Sequence, residues 1–383
     1  MQESANHKVH IVAFDVPYPP DYGGVIDVYY KIKALQQLGI GIILHCFTYK
    51  RQAAEELEEI CEKVYYYKRS PMWLAYFSPL PMIIASRKSK LLLQRLAADA
   101  HPVLLEGLHT CGWLGNAALK EKQVVVRMHN NEHTYYTHLA QEEKNLFKRW
   151  YYQVESQRLA KKEHILSKAS SVACIAMAET KYYQKKYQHA FYVGPFHGND
   201  KMHNPQGSGE YVLYHGNLGI NENNSAACYL VKEVFAKTNR PVIIAGNRPS
   251  QQLIQMARPH AHITIVANPS QAEMQRLIRD AHLHMLVTFQ NTGVKLKLIQ
   301  ALFNGRFIVA NKAMIEDTGL EKYVTIANTP EEQLQAMEAL FSMEMDDEQL
   351  RLRSGMLNDL SDRQGARLIA DRLFPGARPE APH

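Results

Sequence analysis

The feature that most limits what this chain can fold into is an alternation, repeated along nearly all of its length. Short apolar runs are separated by stretches whose apolar residues recur at helical spacing. The first runs are Val9 to Val16, Ile40 to Phe47, Lys63 to Tyr67, Val103 to Glu106, Val124 to Met128 and Ser171 to Ala176. A second series comprises Tyr211 to His215, Val242 to Ala245, Ile263 to Val266, Leu283 to Val287, Phe307 to Ala310 and Val324 to Ile326. Continuous apolar runs suit strands buried on both faces, and the helical stretches between them supply the crossovers that parallel strands require. Two α/β sheets follow, and 383 residues are too many for one core. The Gly- and Pro-rich text after Gly194, PFHGNDKMHNPQGSG, marks the boundary. The expected division is 1–195, 196–360, a terminal helix at 361–374 and a disordered tail at 375–383. Tyr135 to Ser167 is expected as one long helix.

Several function classes are disfavoured. KVHIVAFDV is already a first strand, so the start has no secretory signal, and the apolar stretch Met72 to Ser86 is cut by Pro79 and Pro81. A cytoplasmic protein is expected. Five scattered cysteines with no CxxC pair indicate thiols rather than disulfides or structural zinc. No GxGxxG follows the first strand, which disfavours a nicotinamide enzyme. Met1 to Pro195 carries 25 Lys and Arg against 18 Asp and Glu, while the remainder carries 19 against 20. The first half therefore suits an anionic partner such as a phosphorylated acceptor or a membrane surface. Lys68 to Lys90 mixes Trp73, Tyr76 and Phe77 with Arg69, Arg87, Lys88 and Lys90, a composition suited to peripheral membrane contact. No RNP, KH or OB pattern accompanies it, so nucleic acid is not expected.

The candidate sites lie where strands end. In TGVKLKLIQALFNG, from Thr292 to Gly305, a glycine turn opens an amphipathic helix with Lys295 and Lys297 beside its first turn. Free amides and lysines at a helix start suit a diphosphate. Gly23 and Gly24, closing the loop after the first strand, let backbone approach a ligand. LLEGLHTC places Glu106 and His109 beyond one strand, and RMHNNEHTYY places Arg127, His129, Asn130, Glu132 and His133 beyond the next. His129 to His133 also spells HxxEH, an inverted zincin pattern. A strand running into His129 and a cap at Asn130-Asn131 should turn the two histidines apart, which disfavours shared zinc. Asp346-Asp347 lies in a polar helical stretch rather than at a strand end, so no metal is expected.

Over nearly its full length the chain resembles the GT-B glycosyltransferases, and within them the retaining family 4, or group 1, type. The PYPPDYGG loop, HGNLGINENNSAACYLV, VIIAGNRPSQQL, ITIVANPSQAEMQRLIRDAHLHMLVTF and TGVKLKLIQALFNGRFIVAN resemble that family's segments in the family's order. The resemblance implies two Rossmann-like domains facing across a cleft, with a nucleoside-diphosphate sugar as co-substrate and a glycan or lipid-linked acceptor. It assigns Gly23, Gly24, Asn217, Gly246, Val266, Asn268, Thr292, Gly293, Lys295, Lys297 and Gln300 to the donor. It assigns His109, His129 and Glu106 to catalysis, with His109 favoured as the histidine at the transferred sugar, and Arg127, Asn130 and Glu132 to the acceptor side. Retention would follow from front-face attack within an ion pair. Two departures stand out: Gln300 replaces a ribose-binding Glu, and the basic pair expected around Asn217 to Asn224 is missing. They keep a non-catalytic sugar-nucleotide-binding protein open as a second reading, with a sugar-nucleotide epimerase as a third.

Overall fold

In the computed structural model, residues 7–71, 75, 78–289, 295–316, 318–355 and 360–376 are described. The chain divides into two compact units, and each follows from its own series of strands.

In the first unit β1 (Lys8–Ala13), β2 (Gly41–Thr48), β3 (Lys63–Lys68), β4 (Val103–Glu106), β5 (Val124–Met128), β6 (Ser171–Cys174) and β7 (Ala190–Tyr192) form one sheet. Its order is β3-β2-β1-β4-β5-β6-β7, every pairing is parallel, and β1 lies inside the sheet between β2 and the central β4. Helices cover both faces, so Val9, Ile11, Leu104 and Val125 are fully buried. The second unit repeats the pattern with β8 (Val212–His215), β9 (Val242–Gly246), β10 (Ile263–Ala267), β11 (Leu283–Leu286), β12 (Phe307–Ala310) and β13 (Thr325–Ile326), ordered β10-β9-β8-β11-β12-β13. In both sheets the order reverses beside the first strand, and in open parallel sheets ligands bind outside the carboxyl ends at such a switch point.

Three expectations need adjustment. The three-residue β7 is too short for its sequence to show a pattern. The long helix is two, Glu132–Glu142 and Leu146–Lys162, because Asn145 caps a new start by accepting from Phe147 N and Lys148 N, each at 3.1 Å. Phe196 to Gly198 stay with the first unit, and the terminal helix Asp362–Leu373 returns to it. Asp27 accepts from Phe196 N at 2.9 Å and Asp362 from Gly198 N at 2.8 Å, while Ala366, Ile369 and Ala370 join the first core. Asp346 is a helix cap, accepting from Gln349 N at 2.9 Å. Four cysteines are buried and Cys228 is half-buried, and all five are free thiols. No helix among the described residues is long and apolar enough to cross a membrane.

Candidate functional site

Five ionisable side chains converge at the carboxyl edge of the first sheet. Asp27 and Lys31 sit one turn apart on helix Gly23–Gln36, beside the apolar face of Val28, Ile32 and Leu35. Glu106 ends β4, Arg127 lies in β5, and His129 follows it; none of the five is more than 8% exposed. Lys31 Nζ donates to Asp27 Oδ2 at 2.8 Å and to Glu106 Oε2 at 2.9 Å. Arg127 donates to both Asp27 oxygens, at 2.9 and 3.3 Å, and to the carbonyls of Val193 and Gly194 at 2.6 and 2.8 Å. Burial by itself would raise the Asp27 carboxyl, but the guanidinium of Arg127 and the ammonium of Lys31 hold it well below the usual carboxylate range. One ligand atom each from Asp27, Glu106 and His129 lies within 4.8 Å of the others, an arrangement that resembles a metal site. The ammonium of Lys31 already bonds to both carboxylates there, so the cation they need is supplied by the chain.

The sequence candidates at this edge separate into two kinds. Arg127 has four of its N–H donors engaged inside the protein, so the acceptor role expected of it gives way to positioning. His129 faces inward as well, with Nε2 2.8 Å from Glu106 Oε2 and Nδ1 3.8 Å from Asp27 Oδ2. His133 turns elsewhere, to Tyr182 Oη at 3.0 Å, because Asn131 caps a helix start between the two histidines. His109 differs: its side chain is 21% exposed, and its Nδ1 is a buried atom without a hydrogen-bond partner. Phe14 lies 5.4 Å away, centroid to centroid, and Glu132 Oε1 is 3.8 Å from Nδ1. Burial, aided by the nearby Arg87, keeps the His109 imidazole neutral. Burial and the neighbouring Glu179 raise the Glu132 carboxyl to about 8, against the opposing pull of Arg87. At neutral pH the pair is therefore polar but uncharged. Gly107, at φ 70°, shapes the turn, since a Cβ there would lie 2.9 Å from His109 Nδ1. Asn130 is half-buried beside this group. Gly23 and Gly24 open the helix that carries Asp27, and a Cβ on Gly24 would meet the Phe14 ring at 2.7 Å. Gly24 thus makes room for a side chain of the site.

The carboxyl edge of the second sheet has a different balance. Lys295 precedes helix Leu296–Asn304, whose Leu298, Ala301 and Leu302 are buried as the spacing requires. Thr292 and Gly293 lie outside the described residues. Lys297 Nζ donates to Asn223 Oδ1 at 2.9 Å and stands 5.1 Å above the Tyr214 ring, and Asn223 in turn donates to Asn217 O at 3.1 Å. Lys295 Nζ is 3.8 Å from Glu222 Oε1. Burial lowers the Lys297 ammonium to about 8, with Glu222 opposing the shift and Lys295 adding to it. Lys295 is lowered too, by burial, with Glu222 opposing. Gln300 is half-buried, its Oε1 3.4 Å from Asn304 Nδ2.

At the ends of β9 and β10 the chain makes two left-handed turns without glycine. Arg248 and Asn268 both have φ 53°, and they support each other: Arg248 N donates to Asn268 Oδ1 at 2.9 Å, and Asn268 N donates to Gly246 O at 3.0 Å. Gly246 is required because a Cβ there would sit 1.8 Å from Gly216 O. This close approach places the Arg248 Nε 3.1 Å from where a Cβ on Gly219 would be. Arg248 thus brings a cation to the loop after β8, where the sequence shows no basic pair. Sequence reading missed it because it lies after the next strand; a bulky residue at a turn position suited to glycine was the available signal. Val266 ends half-buried in β10, and Asn268 is exposed just past it.

Comparisons with known proteins agree with this geometry. Residues 209–343 match the family described as Glycosyl transferases group 1. A 44.6 kDa protein in the cps region of Klebsiella pneumoniae is 28% identical over 347 residues, covering 84% of this chain and 87% of that one. A glycosyltransferase from Rickettsia africae superposes over 97% of this chain and 100% of its own, with a TM-score of 0.66 and 13% identity. A mutant of S. aureus TarM, in complex with fondaparinux, α-GlcNAc-glycerol and UDP, superposes over 96% of this chain and 99% of its own, with a TM-score of 0.66 and 11% identity. Residues 209–343 thus match a group 1 glycosyl transferase domain, and the chain as a whole shares the two-sheet GT-B-like fold of these glycosyltransferases.

Proposed function

We propose that this enzyme takes its sugar from a uridine diphosphate donor and passes it, with retention, to the hydroxyl of a glycan, glycolipid or other glycoconjugate. The observation that carries the donor assignment is the pair Lys295 and Lys297: two largely buried ammonium groups with lowered pKa values, sharing Glu222 as a nearby carboxylate. Two ammonium groups beside one helix start suit the negative charges of a diphosphate, whose oxygens would add to the attraction that Glu222 supplies. Arg248 adds the third cation, backbone near Val266 and Asn268 receives the base, and Gln300 accepts from the ribose hydroxyls. In the first unit, neutral His109 contacts the transferred sugar, Asn130 and Glu132 line the acceptor side, and Asp27, Lys31, Glu106, Arg127 and His129 hold that edge in shape.

As the bond between the anomeric carbon and the diphosphate oxygen breaks, the lysines stabilise the charge growing on the leaving group. The acceptor oxygen bonds to the anomeric carbon from the same face, and its proton passes to the departing diphosphate. This scheme assigns no step to a metal ion. A polysaccharide or related glycoconjugate is the favoured product class, supported by the relative in a cps region. Free thiols suit a cytoplasmic location.

The test is a panel of nucleotide sugars screened by thermal shift, followed by donor hydrolysis and transfer in EDTA. A uridine-linked sugar should raise Tm most and be turned over at an unchanged rate in chelator. Preference for another base would overturn the uridine assignment, and loss of turnover restored by a divalent cation would overturn metal independence.

A further inference from the structure

The hairpin of helices Glu132–Glu142 and Leu146–Lys162 is firmly held along its shaft and bare at its tip. Along the shaft, Ser156 Oγ donates to His133 O at 2.8 Å and lies 2.8 Å from Thr137 Oγ1. Glu155 Oε2 accepts from Met82 N at 2.7 Å, and Arg158 donates to Leu80 O at 2.8 Å. At the turn, Glu143 Oε1 accepts from Asn145 N at 2.9 Å and Asn145 caps the second helix, so the tip has a defined shape. Yet Leu146, Phe147 and Trp150 on that first turn are 75%, 86% and 57% exposed. Lys144, Lys148 and Arg149 stand among them, all exposed, with Glu142 and Glu143 the acidic residues of the turn. An open surface groove of about 460 Å³ lies along the hairpin, lined by Thr137, Ala140, Gln141, Arg149, Gln153, Ser156 and Gln157.

From these observations we propose that the hairpin tip docks on an anionic phospholipid bilayer, with Leu146, Phe147 and Trp150 entering the interface and Lys144, Lys148 and Arg149 meeting the headgroups. Three large apolar side chains on one projecting turn are costly in water and suited to the headgroup boundary, where Trp is favoured and neighbouring cations meet lipid phosphate. A second copy of the chain is a poorer occupant. The apolar surface stops after Trp150, and the outward positions that follow, Gln153, Gln157, Ala160 and Lys161, offer no apolar stripe for a partner helix. The contact uses other residues than the Lys68 to Lys90 stretch that the sequence favoured, although the hairpin's shaft packs on Leu80 and Met82 of that stretch. In that stretch Arg87 turns inward to Phe14 O and Ile83 O, both at 2.8 Å, and Lys88 stacks 4.4 Å from the Trp113 ring; Trp73, Tyr76 and Phe77 lie outside the described residues. The inference does not depend on the donor assignment.

The experiment is co-sedimentation of the full chain with vesicles of phosphatidylglycerol and phosphatidylethanolamine, and with neutral phosphatidylcholine vesicles. Wild type should bind the anionic vesicles, and the triple variant Leu146→Ser, Phe147→Ser, Trp150→Ser should lose binding by about tenfold or more. Lys148→Glu with Arg149→Glu should lose the preference for anionic over neutral lipid. These side chains are exposed, so thermal melts and the nucleotide-induced Tm shift should match wild type and exclude misfolding. Wild type left in the supernatant, or a triple variant that sediments like wild type, overturns the proposal. So does a wild-type dimer by light scattering that the triple variant converts to monomer without any vesicle binding, which would assign the tip to a second copy.

Discussion

The two sheets have the same strand order up to the sixth strand, and their carboxyl edges use charge in opposite ways. At the first edge the charges are more deeply buried and largely paired: Asp27 answers Arg127 and Lys31, and Glu106 answers Lys31 and His129 through Oε2, its buried Oε1 being left without a hydrogen-bond partner. At the second edge Lys295 and Lys297 gather around Glu222, both with lowered pKa values, and Arg248 lies beside Gly219 in the loop after β8. The same fold therefore contains one edge whose charges are largely paired within the chain and one where lysines outnumber the nearby carboxylate. A buried network closed on itself holds backbone in place; a cluster with excess charge of one sign binds. Where the first edge does meet a ligand, it should do so through His109 and Glu132, its uncharged pair, rather than through its ions.

The largest expected effect probes the closed edge. Asp27→Asn leaves Arg127 and Lys31 buried without their carboxylate and should cost about 3–5 kcal/mol of stability in denaturant unfolding. Affinity for donor diphosphate in the folded variant should be unchanged. A stable variant that loses only transfer would break the contrast, because the first edge would then also be a ligand site.

Lys297→Met probes the open edge and should have the reverse signature. UDP affinity by calorimetry should fall by about 2 kcal/mol, roughly thirtyfold, without loss of Tm in the free protein. In wild type, UDP affinity should be flat below pH 8 and weaken above it, since Lys297 titrates near 8 in the free protein and must be charged in the complex. An affinity independent of pH from 7 to 9.5 would move the diphosphate elsewhere.

Glu132→Gln gives a smaller effect with a defined pH window. The folded carboxyl binds its proton up to about 8, against 4.5 when unperturbed. The stability tied to that proton is fully present below 4.5 and is lost as pH rises through 8. Gln stays neutral throughout, so the variant should match wild type near pH 4.5 and melt a few degrees higher at pH 8.5. A constant difference across that range would mean the acid is not held protonated.

Arg248→Gly should have the smallest effect and sharpen the contrast from the other side. Glycine relieves the left-handed backbone, worth about 1 kcal/mol, while loss of the cation should raise donor KM by about fivefold with little change in kcat.

Much of the fold was legible in local pattern. Apolar runs and helical spacing located every strand except β7, and the burial of Leu298, Ala301 and Leu302 followed from period alone. Charged side chains were harder to place. Asp27 and Lys31 sit at i and i+4 beside an apolar helix face, a signal that went unused, while Arg127 and His129 were visible as residues but not as inward-facing ones.

The sequence by itself determined the two alternating series, the lysine-bearing helix of the second and the residues at the strand ends, because each depends on neighbours a few positions apart. Only the tertiary structure decided which charges meet. The sheet order sets β1 beside β4 and β4 beside β5, so the first helix brings Asp27 against Arg127, 100 residues away in the chain. The close approach of Gly246 to Gly216 likewise carries Arg248 to a loop that has no basic residue of its own. Helical and strand periods are local, but a salt bridge depends on which strands are neighbours, and strand order is a property of the packed core.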